Sequence, residues 1–435
     1  MITLLIIADD FTGALDTGVQ FAAAGTVVRV VTDIRYDYRK ADEGVRVLVM
    51  DAETRHLDSR DAYEVVWNIT KRAMTCGIPF IYKKTDSALR GNIGSELTAL
   101  LDASGHNILP FIPAFPQMER ITREGIHYIN NVPVKDSVFG KDPFEPVTSS
   151  FVPDIIHQQS SIPVEVMTCG NEDGKMVLKK GARTLKDVRS SYIAVYDAQS
   201  QEELTEAALN LYHKGRLSVM AGCAGFASVL PKLLGLEGRE IYAPEFIPRF
   251  LVACGSVNPI TKVQLDYAEN HGFTRIRLTP GQKLDKGYWR SEEGQAALKK
   301  WMLQCQLERR AILDSNDSGG TDDTMEYARE KGISLDEVRT RIADSMGIIL
   351  KYMVERGLNS TLLITGGDTL LGFMNRMKVC EMEPVCEMAP GTVLSRFKIN
   401  DNIYQAISKS GGFGTEDLLV RLADTILDKK ERALC

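Results

Sequence analysis

The apolar positions of this 435-residue chain fall in short unbroken runs. Each run is followed by a turn and then by a stretch of helical character. Ile2–Ile7 is the first such run and predicts a buried strand. It stops at two adjacent carboxylates, Asp9 and Asp10, and Thr12 and Gly13 then open a helical stretch through Ala24. Gly44–Met50 and Pro79–Lys84 predict further strands, with a helix near Ala62–Cys76 between them. Asn107–Ala114 is another apolar run, and Ser191–Asp197 and Leu217–Gly222 predict two more strands. The last leads into Cys223–Phe226 and a helix to Leu234. Val132–Ile156 is rich in proline and is expected to form a long loop over a site.

Glu237–Arg249 breaks this rhythm with Gly238, Pro244 and Pro248. It divides the chain into a first domain over residues 1–237, a linker over 238–249, a second domain over 250–428 and a tail over 429–435. Beyond the linker, Phe250–Cys254, Thr361–Thr365 and Tyr404–Lys409 predict strands. Each runs directly into a turn rich in glycine and hydroxyl groups: GSVNPIT (255–261), TGGDT (365–369) and KSGGFGTED (409–417). Strand, turn and helix in alternation predict an α/β fold, with two domains that each hold a mostly parallel, helix-flanked sheet.

Composition removes several function classes. The net charge of −6, with Lys and Arg scattered, argues against a general nucleic-acid binder. No segment approaches the roughly 18 consecutive apolar residues of a membrane span, and the first strand has no basic leader. The eight cysteines include no C-x-x-C pair, which fits reduced thiols and a cytoplasmic location better than disulfides or a zinc site.

The chemistry then concentrates at strand ends. Glycine lets backbone approach a phosphate, and the helix behind it presents unpaired N–H groups and a positive dipole end. Three such turns in one half point to a nucleotide phosphate site. None is a Walker motif, because Lys409 precedes its glycines, and none is G-x-G-x-x-G, which disfavours a dinucleotide. In the first half, Asp9 and Asp10 offer a general base and an acceptor for sugar hydroxyls. The competing role is a helix cap plus a salt-bridge partner. Lys83-Lys84-Thr85-Asp86-Ser87-Ala88-Leu89-Arg90-Gly91-Asn92 could seize a small carboxylate, with Arg90 as a bidentate fork. Its alternative is a solvated loop with an Asp86–Arg90 pair and Lys83 as a surface charge. His127 is expected to be a packed or surface histidine. Asp314–Asp323 resembles a calcium loop but has Met325 where a bidentate Glu is needed, so it is expected to be a surface connection.

Taken together, ADDFTGALDTG, KKTDSALRGNIGSEL, PAFPQ, GSVNPIT and KSGGFGTEDL resemble the four-carbon acid sugar kinases, in order and across nearly the whole chain. The resemblance implies a sugar-acid domain followed by a nucleotide domain, with the active site in the cleft between them. It implies ATP-dependent phosphorylation of the terminal hydroxyl of threonate, erythronate or an oxo-tetronate. Carried over by motif, the ATP side comprises Ser256, Gly366, Gly367, Asp368, Thr369, Ser410, Gly411, Gly412, Phe413 and Gly414. The substrate side comprises Asp9, Asp10, Lys83, Asp86 and Arg90. Asp10 is cast as the base with Asp9 as its partner, and Lys83 and Arg90 as holders of the substrate carboxylate. Mg²⁺ would accompany ATP, with Asp368 a candidate for its shell or for the ribose. Metal ligands are otherwise unassigned, and a homodimer is left open. Two alternatives carry other predictions: a metal-dependent sugar-acid dehydratase or isomerase, and a sugar-acid sensor without turnover.

Overall fold

In the computed structural model, residues 1–142, 145–168, 175–177, 191–238, 244–318 and 322–427 are described. The apolar runs become the buried strands of two units, Met1–Glu240 and Ile241–Cys435.

The first unit runs β1 (Leu4–Ala8), α1 (Phe11–Ala22), β2 (Val28–Val31), β3 (Val47–Asp51), α2 (Ser59–Thr75), β4 (Phe80–Lys84), α3 (Ile93–Ser104) and β5 (Ile108–Ile112). A small antiparallel sheet follows, of β6 (Arg120–Arg123), β7 (Ile126–Ile129) and β8 (Val132–Pro133). Then come α4 (Val152–His157), β9 (Val164–Met167), β10 (Lys175–Val177), β11 (Tyr192–Tyr196), α5 (Gln201–His213), β12 (Val219–Gly222), α6 (Ala224–Ala227) and α7 (Leu230–Leu233). The main sheet has the order β10-β9-β11-β5-β12-β4-β1-β3-β2. Its neighbours pair in parallel, save β10 against β9. Every residue of β1 and β3 is buried, which is why these strands lack polar alternation.

The second unit runs β13 (Phe250–Cys254), α8 (Pro259–Asn270), β14 (Thr274–Arg277), α9 (Pro280–Leu284), α10 (Glu292–Leu307), β15 (Arg310–Asp314), α11 (Asp323–Glu330) and α12 (Leu335–Glu355). It continues with β16 (Thr361–Thr365), α13 (Gly367–Met377), β17 (Glu381–Ala389), β18 (Thr392–Ile399), β19 (Asn402–Lys409) and α14 (Leu418–Leu427). The sheet order is β17-β18-β19-β16-β13-β15-β14. Strands β19 to β14 pair in parallel, and β17 and β18 add an antiparallel flank.

Several local expectations shift. The segment after Val132 is not one long loop: it carries β8, two single 3₁₀ turns and α4, which starts at Val152 with Pro153 in its first turn. The helix expected up to Leu234 breaks into α6 and α7, with Pro231 in the first turn of α7. The 314–323 connection is not wholly superficial, because Asp314 and Asn316 are buried. No helix among the described residues is long and apolar enough to cross a membrane.

Helices α3 and α4 meet at Gly94. A Cβ there would strike the backbone carbonyl of Ile156, which has no rotamer to escape into. Gly94→Ala is expected to destabilise the protein by about 1–3 kcal/mol, read as a lower urea midpoint with an unchanged m-value.

Candidate active site

In the first unit β1 lies between β3 and β4, and the three strands end level. Ala8 is in register with Asp51 on one side and with Lys84 on the other. The chain runs from β1 out to β2 and back to β3, then crosses to β4 on the opposite flank. Such a reversal leaves a crevice at the carboxyl ends of the strands. Asp9–Asp10, Asp51–Arg55 and Lys84–Asn92 all enter it.

One acid of the opening pair does cap the helix. Asp10 Oδ1 accepts from the Gly13 N–H (3.0 Å) and Oδ2 accepts from Thr12 Oγ1 (2.8 Å). Asp9 is 2% exposed, and its Oδ2 accepts from Arg55 Nε (2.8 Å) and Nη2 (2.6 Å). The same guanidinium reaches Asp10 Oδ1 (2.8 Å) and Asp86 Oδ1 (3.6 Å). Lys84 Nζ lies 3.7 Å from Asp9 Oδ1. Arg90 forks onto Asp86 at 2.8 and 3.1 Å and also reaches Asp142 at 3.1 Å. Three carboxylates thus converge on Arg55.

Burial alone would raise Asp9, but Arg55 and then Lys84 outweigh it and hold the carboxyl below its ordinary 3.8. Burial likewise opposes Asp86, yet Arg90 and then Arg55 hold it well below 3.8. Asp51 behaves in the opposite way. Burial first, then Glu53 and Asp10, push it well above its ordinary 3.8. Glu53 (φ 46) and Leu89 (φ 64) sit in left-handed backbone on either side of this cluster. Such strain in non-glycine residues gathers at functional sites.

A cavity of about 350 Å³ opens beside the cluster. Arg55, Arg90, Asn92, Glu145, Gln158 and Gln159 are among its walls. His56 meets Glu145 at 2.5 Å on the same wall. Guanidinium, amide and carboxylate groups in one concave site suit a small anionic polyol.

Lys83 lies elsewhere. Strand alternation turns it away from Lys84. Its ammonium is buried, 3.0 Å from Glu96 Oε2, and donates to the Lys84 carbonyl (2.7 Å). His127 is fully buried against the Ser87 carbonyl and Thr122, and burial lowers it to about 4, so it is neutral and packed.

In the second unit Cys254 is in register with Thr365, and Thr365 with Lys409. The three glycine turns therefore stand side by side. Thr261 Oγ1 donates to the Gly411 carbonyl (2.9 Å), and Gln264 Nε2 donates to Phe413 and Thr415 carbonyls (both 3.0 Å). Ser256 Oγ lies 3.4 Å from Thr261 Oγ1, and the Ser410 N–H donates to the Gly391 carbonyl (2.9 Å). Gly366 has φ 103, and a Cβ on it would come within 3.0 Å of Ser256 N. Only glycine serves there. Gly367 and Thr369 open α13, which has no side-chain cap on its first N–H groups. Asp368 is part-exposed and 3.6 Å from Arg339, while Gly412, Phe413 and Gly414 complete the third turn. Among the described residues, no group of three or more His, Cys, Asp or Glu is placed to hold a metal ion.

Sequence reasoning named the acids but missed their clamp. Arg55 lies in ETRHLD, which carries no motif; the usable signal was three acids needing a cation. Lys84 was within the motif, and period-two alternation alone separates it from Lys83.

Arg55→Met would leave buried acids without their shared cation. A loss of about 3–5 kcal/mol is expected. The sign with pH follows from the lowered Asp9 and Asp86. Their contribution is fully present above pH 3.8 and is lost as pH falls through their folded values. In the variant those values rise, so acid unfolding should start at a higher pH, measured by circular dichroism.

A family model described as a sugar-binding N-terminal domain matches residues 4–230, and one described as a nucleotide-binding C-terminal domain matches residues 251–419. The chain is 29% identical to a D-threonate kinase of Salmonella typhimurium, over 96% of each chain. It is 28% identical to a D-erythronate kinase of Heliobacterium modesticaldum, over 99% of this chain and 98% of the relative. It is 22% identical to a 3-oxo-tetronate kinase of Salmonella typhimurium, over 97% and 98%. A crystal structure from Haemophilus influenzae shares the fold, with a TM-score of 0.66 at 18% identity over 98% of this chain and 100% of that one. The two matched domains span the units that carry the acid cluster and the glycine turns, and on these grounds the chain belongs to the four-carbon acid sugar kinase family.

Proposed function

We propose that this protein phosphorylates the terminal 4-hydroxyl of a four-carbon sugar acid of the threonate, erythronate or oxo-tetronate class, with ATP as donor. The observation that carries this is the Arg55 clamp. It binds Asp9 and Asp10 together beside a cation-walled cavity of about 350 Å³.

Phosphoryl transfer asks for placement and charge neutralisation more than for covalent chemistry. Asp10 keeps 16% side-chain exposure against 3% for Asp9, so Asp10 is the carboxylate that reaches the acceptor hydroxyl and takes its proton. Arg55 aims it. Asp9 fixes Arg55 and offers a second acceptor. Arg90, 22% exposed, provides the fork for the substrate carboxylate, and Asp86 orients that fork. Lys83 acts from below, by tying β4 to Glu96. Ser256, the Gly366–Thr369 turn and the Ser410–Gly414 turn supply N–H and hydroxyl donors for the ATP phosphates. Mg²⁺ fits as an ion carried by the nucleotide, since it keeps waters and needs only one or two protein carboxylates. Asp368 is the acid at these turns that would face it, and the ion would neutralise charge on the phosphates. A metal held by the Asp9–Asp10 pair itself is less well supported, because both carboxylates are engaged by Arg55.

ADP release measured over a panel of tetronates and oxo-tetronates, with ATP, is expected to single out one or two acids. Asp10→Asn keeps a good helix cap, so the fold should survive. Turnover should fall about 10²–10⁴-fold. Near-normal turnover would move the base elsewhere, and no ADP release with any acid would end the proposal.

A further inference from the structure

Lys409 ends β19 directly before the third glycine turn. Its side chain is fully buried. The ammonium donates to the Ser410 carbonyl (3.0 Å) and lies 3.4 Å from Thr261 Oγ1. No described carboxylate lies within 4.0 Å of it. Strand register places it in a row, with Thr392, Lys409, Thr365, Cys254 and Asp314 abreast on β18, β19, β16, β13 and β15. The hydroxyls of Thr392 and Thr365, its two neighbours in the row, are buried and lack hydrogen-bond partners among the described residues. Farther along, Asp314 is already committed to Arg275 at 2.6 Å. The floor beneath the glycine turns is thus a row of buried polar groups short of an anion.

A buried ammonium without a counter-ion is unfavourable, and a fold that keeps one points to an anion supplied from outside. Thr261 of α8, and Thr392, Thr365 and Cys254 of the neighbouring strands, face Lys409. Of these only Cys254 titrates, and burial pushes that thiol up so far that it stays neutral. Burial lowers Lys409 to about 8, with slight relief from Cys254.

We propose that Lys409 is the buried counter-charge of the nucleotide polyphosphate, a positioning residue that acts through the Ser410 turn, and that nucleotide binding at mildly alkaline pH loads a proton onto it. This rests on the nucleotide assignment made above for the glycine turns. The sign follows from linkage. Below pH 8 the ammonium is charged with or without nucleotide, and affinity is flat. Above pH 8 binding must capture a proton, so Kd rises by up to about tenfold per pH unit until the bound-state value is passed.

Calorimetry of ADP binding to the full chain at pH 8.5, in two buffers of different ionisation enthalpy, reads this directly. Free ADP has already lost its last phosphate proton at that pH. The wild type is expected to take up roughly half a proton or more per ADP. Lys409→Met should take up none, bind ADP about tenfold more weakly at pH 7, and show a Kd that is flat with pH. Its ligand-free Tm should rise, because an unpaired buried charge has gone. If that variant fails to fold, Lys409→Arg, charged throughout, should bind without proton uptake. Wild-type binding without uptake, or equal uptake by Lys409→Met, overturns the proposal. Absence of ADP binding by the wild type at any pH overturns the nucleotide assignment and this proposal with it.

Discussion

Arg55 is the interaction on which the first unit's strand ends depend. Asp9, Asp10 and Asp86 arrive there from two strands and could not share so small a volume as anions without a common cation. Removing such a cation is worse than never having built the cluster, since the acids stay buried when it is gone. Arg55 for Asp9, and Arg90 with Arg55 for Asp86, outweigh the burial that would raise these carboxyls, while burial and the neighbouring acids Glu53 and Asp10 push Asp51 up. The guanidiniums of Arg55 and Arg90 thus set the buried Asp9 and Asp86 apart from Asp51.

The second unit solves a different problem. Its three glycine turns are packed shoulder to shoulder, and the closeness is steric. A side chain at Gly366 would meet Ser256, and one at Gly411 would meet Ser256 Oγ at 2.5 Å. Thr261 and Gln264, both on α8, tie the third turn to the first by bonding the carbonyls of Gly411 and Phe413. Glycines at these positions keep side chains out of the space around the turns.

The units differ in how charge is handled. In the first, three cations near the strand ends each have an acid: Lys83 has Glu96, Lys84 has Asp9, Arg90 has Asp86. In the second, Lys409 has only a carbonyl and a hydroxyl. A site whose charges are already balanced favours a ligand that brings its own acceptors and donors as well as one charge. A site with an unpaired buried cation favours a strong anion.

Much of the fold was legible in the chain because strands buried on both faces are largely apolar until their ends. Ile2–Ile7, Pro79–Lys84, Phe250–Cys254 and Thr361–Thr365 therefore announced themselves, and the polar residues just past their ends announced a site. The strands β2, β14, β17 and β18 were not announced: they are short, polar or alternating, and their place depends on what they lie against. The opening doublet was legible as chemistry, but which acid caps α1 and which is buried depends on the path of Arg55, 45 residues beyond Asp10. Sequence alone determined the residue types at each strand end, because local hydrogen bonding and burial act over a few residues. Only the tertiary structure decided which charges meet, because Coulomb's law counts distance in space, and the strand order sets that distance.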